Sequence, residues 1–147
     1  METLISTILS VFGLSQRANQ VKSEKKSEAS RLNTEFETLL HKTALYLRSE
    51  QVSLRHRLQR ISEDTTELVT QADTMIETLL DEIDTGLETA KNNRETIQTV
   101  SSFAKLRQWD EVISVVYQQN SAAEIQMERA KTAVAQFHMI LDNNNVM

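Results

Sequence analysis

A seven-residue repeat of apolar positions runs from Leu40 to Leu79. Its members are spaced alternately four and three residues apart, and ten of the twelve are apolar: Leu40, Ala44, Leu47, Gln51, Leu54, Leu58, Ile61, Thr65, Leu68, Ala72, Met75 and Leu79. Such spacing forms one stripe along an α-helix and is typical of the seam of a coiled coil. Neither proline nor glycine interrupts this stretch. The pattern therefore predicts a long coiled-coil-forming helix at the centre of the chain.

A shorter amphipathic pattern occupies residues 1–14. Its apolar positions fall on one helical face: Leu4, Ile5, Ile8, Leu9 and Phe12. Gly13 is expected to end this helix, because glycine adopts the left-handed cap conformation at little cost. Residues 15–30 are mostly polar and hold too few apolar side chains to build a core. We predict a linker or a weakly held helix there.

Residues 31–142 are predicted to form a helical bundle. After residue 61 the apolar face widens, and a helix with so wide a face needs two or more neighbours. Residues 31–91 fit two arrangements. The unbroken phase of the repeat through residues 61–65 favours one continuous helix. The capping-box sequence from Asp64 to Glu67 and a change in the sign of the charge favour a hairpin near Glu63.

Polar residues indicate the later helix boundaries. An asparagine three residues before a glutamate, at residues 92–95, predicts a helix start near Asn93. The capping box at residues 121–124 predicts another near Ala122. A break is expected near Gln108. The last helix should end at Asp142, leaving residues 143–147 as a disordered tail. The result is an all-α fold of about four or five helices, an extended bundle built on the long coiled-coil-forming helix.

The composition agrees with an all-α fold and limits the chemistry. Two glycines, no proline and few aromatic residues disfavour a many-stranded β fold. The absence of cysteine excludes disulfides and thiolate metal sites. No apolar run approaches the ~20 residues that span a bilayer. Residues 1–14 also lack the basic flank and cleavage site of a secretory signal, so the cytoplasm is the default location.

Charge is divided sharply along the chain. Residues 17–60 hold ten Lys/Arg and five Asp/Glu, whereas residues 61–90 hold nine Asp/Glu and no Lys/Arg. The net charge of −5 argues against nucleic acid as a partner. The densest basic cluster, Arg55, Arg57 and Arg60, is a candidate anion patch. A helix flank that pairs with the acidic segment explains the same three residues.

No motif points to catalysis, a cofactor or a metal. The chain has no glycine-rich phosphate loop, no G-x-S-x-G and no H-E-x-x-H sequence. Its histidines, His41, His56 and His138, lack the paired Glu-x-x-His spacing of a helical metal site. We therefore expect no enzyme activity, no catalytic residues, no cofactor and no bound metal.

The expected function is that of a non-enzymatic helical scaffold or protein–protein interaction module that assembles through its seam. In a monomer, the narrow part of the seam would stay uncovered: Leu40, Leu47, Gln51, Leu54, Leu58 and Ile61. Burying about five Leu/Ile at ~1.5–3 kcal/mol each favours a homo-oligomer, above all a dimer, or a helical partner. The alternative is a membrane-active bundle whose residues 1–14 insert into lipid. The same segment could instead dock on the bundle.

Overall fold

The computed structural model describes residues 2–60, 66–99 and 105–145, with side chains described for 20–60, 67–99 and 105–143. These residues form three helices: α1 (Glu2–Gln59), α2 (Thr66–Thr99) and α3 (Leu106–Asn145). No strand occurs in these ranges, and the predicted all-α class is confirmed. The expected four or five helices are instead three longer ones.

α1 is much longer than the sequence pattern indicates. It passes through Gly13 and through the polar residues 15–30 without a break. A glycine costs only about 1 kcal/mol inside a helix, and no proline is present to stop it. Gly13 therefore does not end a helix. Because α1 is one helix from Glu2 onward, residues 2–14 do not fold back to dock on the bundle of their own chain.

α1 and α2 form an antiparallel hairpin. Arg55 pairs with Asp73, and farther from the connection Leu40 lies against Gly86. The chain thus reverses direction between α1 and α2, and the prediction of one continuous helix over residues 31–91 is wrong. Reversal brings the acidic α2 beside the basic half of α1, where unlike charges attract.

α3 runs parallel to α1 and is also unbroken. The boundaries predicted near Asn93 and Ala122 are wrong, because these residues lie inside α2 and α3. A second seven-residue repeat explains the continuity of α3, since each member is buried or half-buried: Trp109, Ile113, Val116, Asn120, Ala123, Met127, Ala130, Val134, Phe137 and Leu141. Packing of this stripe outweighs the local capping signal at Ser121.

A side chain caps the start of α3. The backbone N–H of Lys105 donates to Oε1 of Gln108 at 3.0 Å, which satisfies a donor that a helix start leaves free. The break predicted near Gln108 therefore corresponds to the start of α3 at Leu106. At its other end α3 continues to Asn145, past the predicted end at Asp142 and into the predicted tail.

The main core lies between the three helices. Its buried members come from each of them: Phe36, Leu40, Leu47, Leu54 and Leu58; Ala72, Ile76, Leu80, Ile83 and Ala90; Ala123, Ala130, Val134 and Leu141. A smaller cluster joins Ala29, Ile97 and Trp109. α2 and α3 both pack closely on α1 but approach one another at far fewer points. α1 is therefore the central helix, and a groove separates α2 from α3.

Candidate interaction surfaces

The predicted seam lies inside the bundle. Its four leucines are at most 4% exposed, and its glutamine is 9% exposed: Leu40, Leu47, Leu54, Leu58 and Gln51. The leucines pack in the main core with apolar residues of α2 and α3. The sixth predicted member, Ile61, lies outside the described residues. The described part of the seam is buried within its own chain. A dimer would therefore have to use another surface.

The junction between α1 and α2 pairs the basic segment with the acidic one. Gln51 Nε2 donates to Glu77 Oε1 at 3.0 Å and to Asp73 Oδ1 at 3.4 Å. Arg55 donates to both carboxylate oxygens of Asp73, from Nε at 3.2 Å and from Nη2 at 3.3 Å. The polar member of the seam therefore bonds to α2 of the same chain. These hydrogen bonds of Gln51 favour the observed register between α1 and α2.

The junction between α1 and α3 holds a second polar cluster. Arg57 Nη2 pairs with the Asp142 carboxylate, and its Nη1 donates to His138 Nδ1 at 2.8 Å. His138 Nε2 then donates to Glu50 Oε2 at 2.7 Å. A ring that accepts from Arg57 at Nδ1 and donates to Glu50 from Nε2 carries a proton on Nε2. Burial and, secondarily, the Glu50 charge raise the pKa of the nearby Tyr46 above its ordinary value.

Two of the three arginines in the candidate anion patch already have carboxylate partners. Arg55 pairs with Asp73 and Arg57 with Asp142. Arg60 follows α1 in a turn, where its backbone N–H donates to the Arg57 carbonyl at 3.3 Å. The structure thus brings these residues to the bundle junctions. Anion binding there stays a prediction.

A polar layer, buried at Asn33 and half-buried at Asn93 and Gln119, connects all three helices, and the sequence pattern does not indicate it. Asn33 is 3% exposed, and its Nδ2 donates to the Ala90 carbonyl of α2 at 2.9 Å. Asn93 Nδ2 donates to Asn33 Oδ1 at 3.0 Å and to Gln119 Oε1 of α3 at 2.6 Å. Each side chain of this layer has a hydrogen-bond partner. Such a layer favours one register of the three helices over others that apolar packing alone would allow. The partners are too distant in sequence for spacing to reveal them.

The first part of α1 extends past its neighbours. The pairs Lys25–Asp110 and Arg57–Asp142 are both 85 residues apart, so the start of α3 at Leu106 lies level with Val21. α2 ends near the cluster that contains Ala29. Residues 2–20, which we call the N-terminal arm, therefore continue beyond the bundle as a helix of roughly 28 Å.

The candidate membrane or partner residues all belong to this arm. They are Leu4, Ile5, Ile8, Leu9 and Phe12. The structure gives the helix that contains them, but their side chains lie outside the described part of the chain. The prediction that they contact a partner or a membrane is therefore neither supported nor opposed by observed contacts.

The described residues offer little that resembles a chemical site. No three His, Asp or Glu side chains among them come together to hold a metal ion. Their surface depressions are shallow and follow helix faces, as in the groove lined by Leu79 and Ile125. Within the same residues, no helix is both long enough and apolar enough to cross a bilayer.

Comparison with known proteins does not place the chain in a family. It matches no protein-family model, and no curated protein or solved structure is significantly similar to it.

Proposed function

We propose that the protein is a non-enzymatic scaffold whose bundle serves as a folded body and whose N-terminal arm assembles with a second copy of the chain. The observation that supports this is the register of α1 against α3, which leaves residues 2–20 beyond the level of Leu106. Apolar residues of α1, α2 and α3 are buried together in one core of the same chain. In that register, neither α2 nor α3, the other two helices that the structure describes, lies beside the arm.

The sequence of the arm suits a helical partner. The buried repeat of α1 includes Ala29 and Asn33. Extended backward by whole seven-residue steps, it first meets polar positions, Lys26, Lys22, Asn19 and Ser15, and then meets Phe12, Ile8 and Ile5. The arm thus repeats the spacing that packs α1 in the bundle, and we propose a coiled-coil-like contact there. Burying the five apolar side chains of the predicted face of the arm at ~1.5–3 kcal/mol each favours association.

Deleting the arm should convert a dimer into a folded monomer. Sedimentation velocity at micromolar concentration compares the full chain with a chain that begins at Val21. We expect the full chain to have the mass of a dimer and the shortened chain that of a monomer. Circular dichroism should show that the shortened chain still unfolds cooperatively, since its core residues begin at Ala29.

Two point variants control for the effect of shortening the chain. Ile8→Glu places a charge on the apolar face of the arm and should also give a monomer, whereas Ser10→Glu on the opposite face should leave the dimer intact. A full chain that sediments as a monomer contradicts the proposal. If that monomer pellets with lipid vesicles and the shortened chain does not, the membrane-active alternative replaces it.

A further inference from the structure

The predicted apolar face of the N-terminal arm continues the side of α1 that α2 covers. Four residues of α1 bond to residues of α2: Asn33, Glu37, Gln51 and Arg55. An α-helix turns about 100° per residue. On that scale, the mean direction of the five apolar positions of the arm lies within about 40° of the mean direction of those four residues. It differs by about 160° from the mean direction of Glu50 and Arg57, which bond to α3. The apolar face of the arm is therefore in line with α2.

A second copy that ran parallel to α1 on this face would meet α2. Because α1 is one helix from Glu2 to Gln59, a copy whose arm lay alongside in parallel would also place the rest of its α1 alongside. Packed helix axes lie about 8–10 Å apart. α2 already occupies that position from about the level of Ala29, where Ile97 packs. Coiled-coil-like pairing of two parallel arms is therefore blocked by the α2 of each chain.

The polar positions that follow the arm also disfavour a parallel pair. Between the apolar face of the arm and the buried core, the repeat of α1 passes through Ser15, Asn19, Lys22 and Lys26. In a parallel pair, each position of the repeat meets the same position of the partner. Two lysines would then lie opposite two lysines, where like charges repel one another. The apolar contact can form without this repulsion only if the second copy is reversed.

Reversal matches the apolar positions of the two arms. A two-fold axis between residues 6 and 7 sets Ile5 level with the partner's Ile8, and it sets Leu4 level with the partner's Leu9. We propose that the arms of two copies pair antiparallel about such an axis, with the two bundles at opposite ends of the assembly. The two Lys22 residues are then roughly 45 Å apart along the axis of the arms, well beyond the ~8–10 Å over which exposed charges interact at moderate ionic strength. This inference rests on the proposed function and adds the orientation of the partner.

Distances between two singly labelled chains test this orientation. The chain has no native cysteine, so Ser27→Cys, at an exposed position of α1, accepts one nitroxide label per chain. Residue 27 is about 20 residues from the proposed axis, and pulsed electron–electron spin resonance should give a distance of roughly 60 Å between the two copies. A parallel pair would place the two labels at the same level, below roughly 35 Å apart. Excess unlabelled chain should remove the signal, which assigns it to pairs of chains.

Ser10→Cys is the matched control, because it lies in the arm on the side opposite the predicted apolar face. Its two labels should be less than roughly 35 Å apart in either orientation. A short distance at both positions would overturn the antiparallel inference and leave arm-dependent assembly standing. Absence of a distance between chains at Ser10→Cys would show that the arms do not meet, and would overturn both the inference and the proposed function.

Discussion

Leu47→Ala is expected to lower the free energy of unfolding by about 3 kcal/mol. Leu47 is fully buried in the main core, so truncation removes apolar contacts with the rest of the bundle and leaves a cavity. The control is Leu45, which lies two residues before Leu47 in α1 and is 69% exposed. Leu45→Ala makes the same chemical change with the same effect on helix propensity, and should alter stability by no more than about 0.5 kcal/mol.

Urea unfolding followed by circular dichroism measures both changes. The experiment should be run at two protein concentrations, because a core formed within one chain loses the same free energy at each. Equal effects of the two alanine substitutions would show that Leu47 is not in the core. A loss at Leu47 that disappears on dilution would place its contacts between chains instead.

Gly86→Leu is expected to destabilise the hairpin by about 1–3 kcal/mol through overpacking. The backbone of Gly86 lies so close to α1 that an added Cβ would be 2.9 Å from Leu40 Cδ1. Leu40 is 2% exposed and surrounded by core residues, which leaves its side chain little room to move. The better helix propensity of leucine, worth up to about 1 kcal/mol, offsets only part of this cost.

The contact between Leu40 and Gly86 can be tested by exchanging the sizes of the two residues. Leu40→Ala alone should cost about 2–5 kcal/mol. Combined with Gly86→Leu, it should cost at least about 1 kcal/mol less than the two single effects together, because the new leucine fills the space that the old one leaves. Thr85→Leu, at an exposed neighbouring position, is the control and should be additive with Leu40→Ala. Additivity at Gly86 as well would argue against the pairing of α1 with α2.

Much of the core could be predicted from spacing alone. The repeat correctly indicates burial of Leu40, Leu47, Leu54 and Leu58, because a stripe of apolar positions must leave water whatever covers it. The spacing does not say which helix covers the stripe. A partner in the same chain and a partner in a second chain impose the same pattern, so the seam alone does not distinguish self-association from folding within one chain.

The continuity of the helices could not be judged from local signals. The repeat keeps its phase through residues 61–65, yet α1 and α2 are separate helices with opposite directions. A connection can preserve phase by its length alone. Conversely, the capping box at Ser121 lies within α3, where apolar packing on both sides is worth more than one cap. The change in charge was the better guide, since it anticipates the contact between Arg55 and Asp73.

The polar layer could not be predicted from the sequence for a different reason. Asn93 matched the pattern of a helix start, but its amide bridges Asn33 and Gln119. Those partners are 60 and 26 residues away and become neighbours only when the bundle forms. The N-terminal arm, in contrast, could be recognised as an amphipathic helix, while its position beyond the bundle required the register of α1 against α3.

The central claim is that α1 and α2 pack against each other within one chain. Pulsed electron–electron spin resonance can test this with nitroxide labels at Thr38→Cys and Glu88→Cys, two exposed positions in a chain without native cysteine. Dilution with excess unlabelled protein ensures that only distances within a chain are measured. Two packed helices span about 20 Å, so we predict a distance below roughly 35 Å including the label arms. A distance near 75 Å, which fifty residues span in one straight helix at about 1.5 Å each, would contradict the claim.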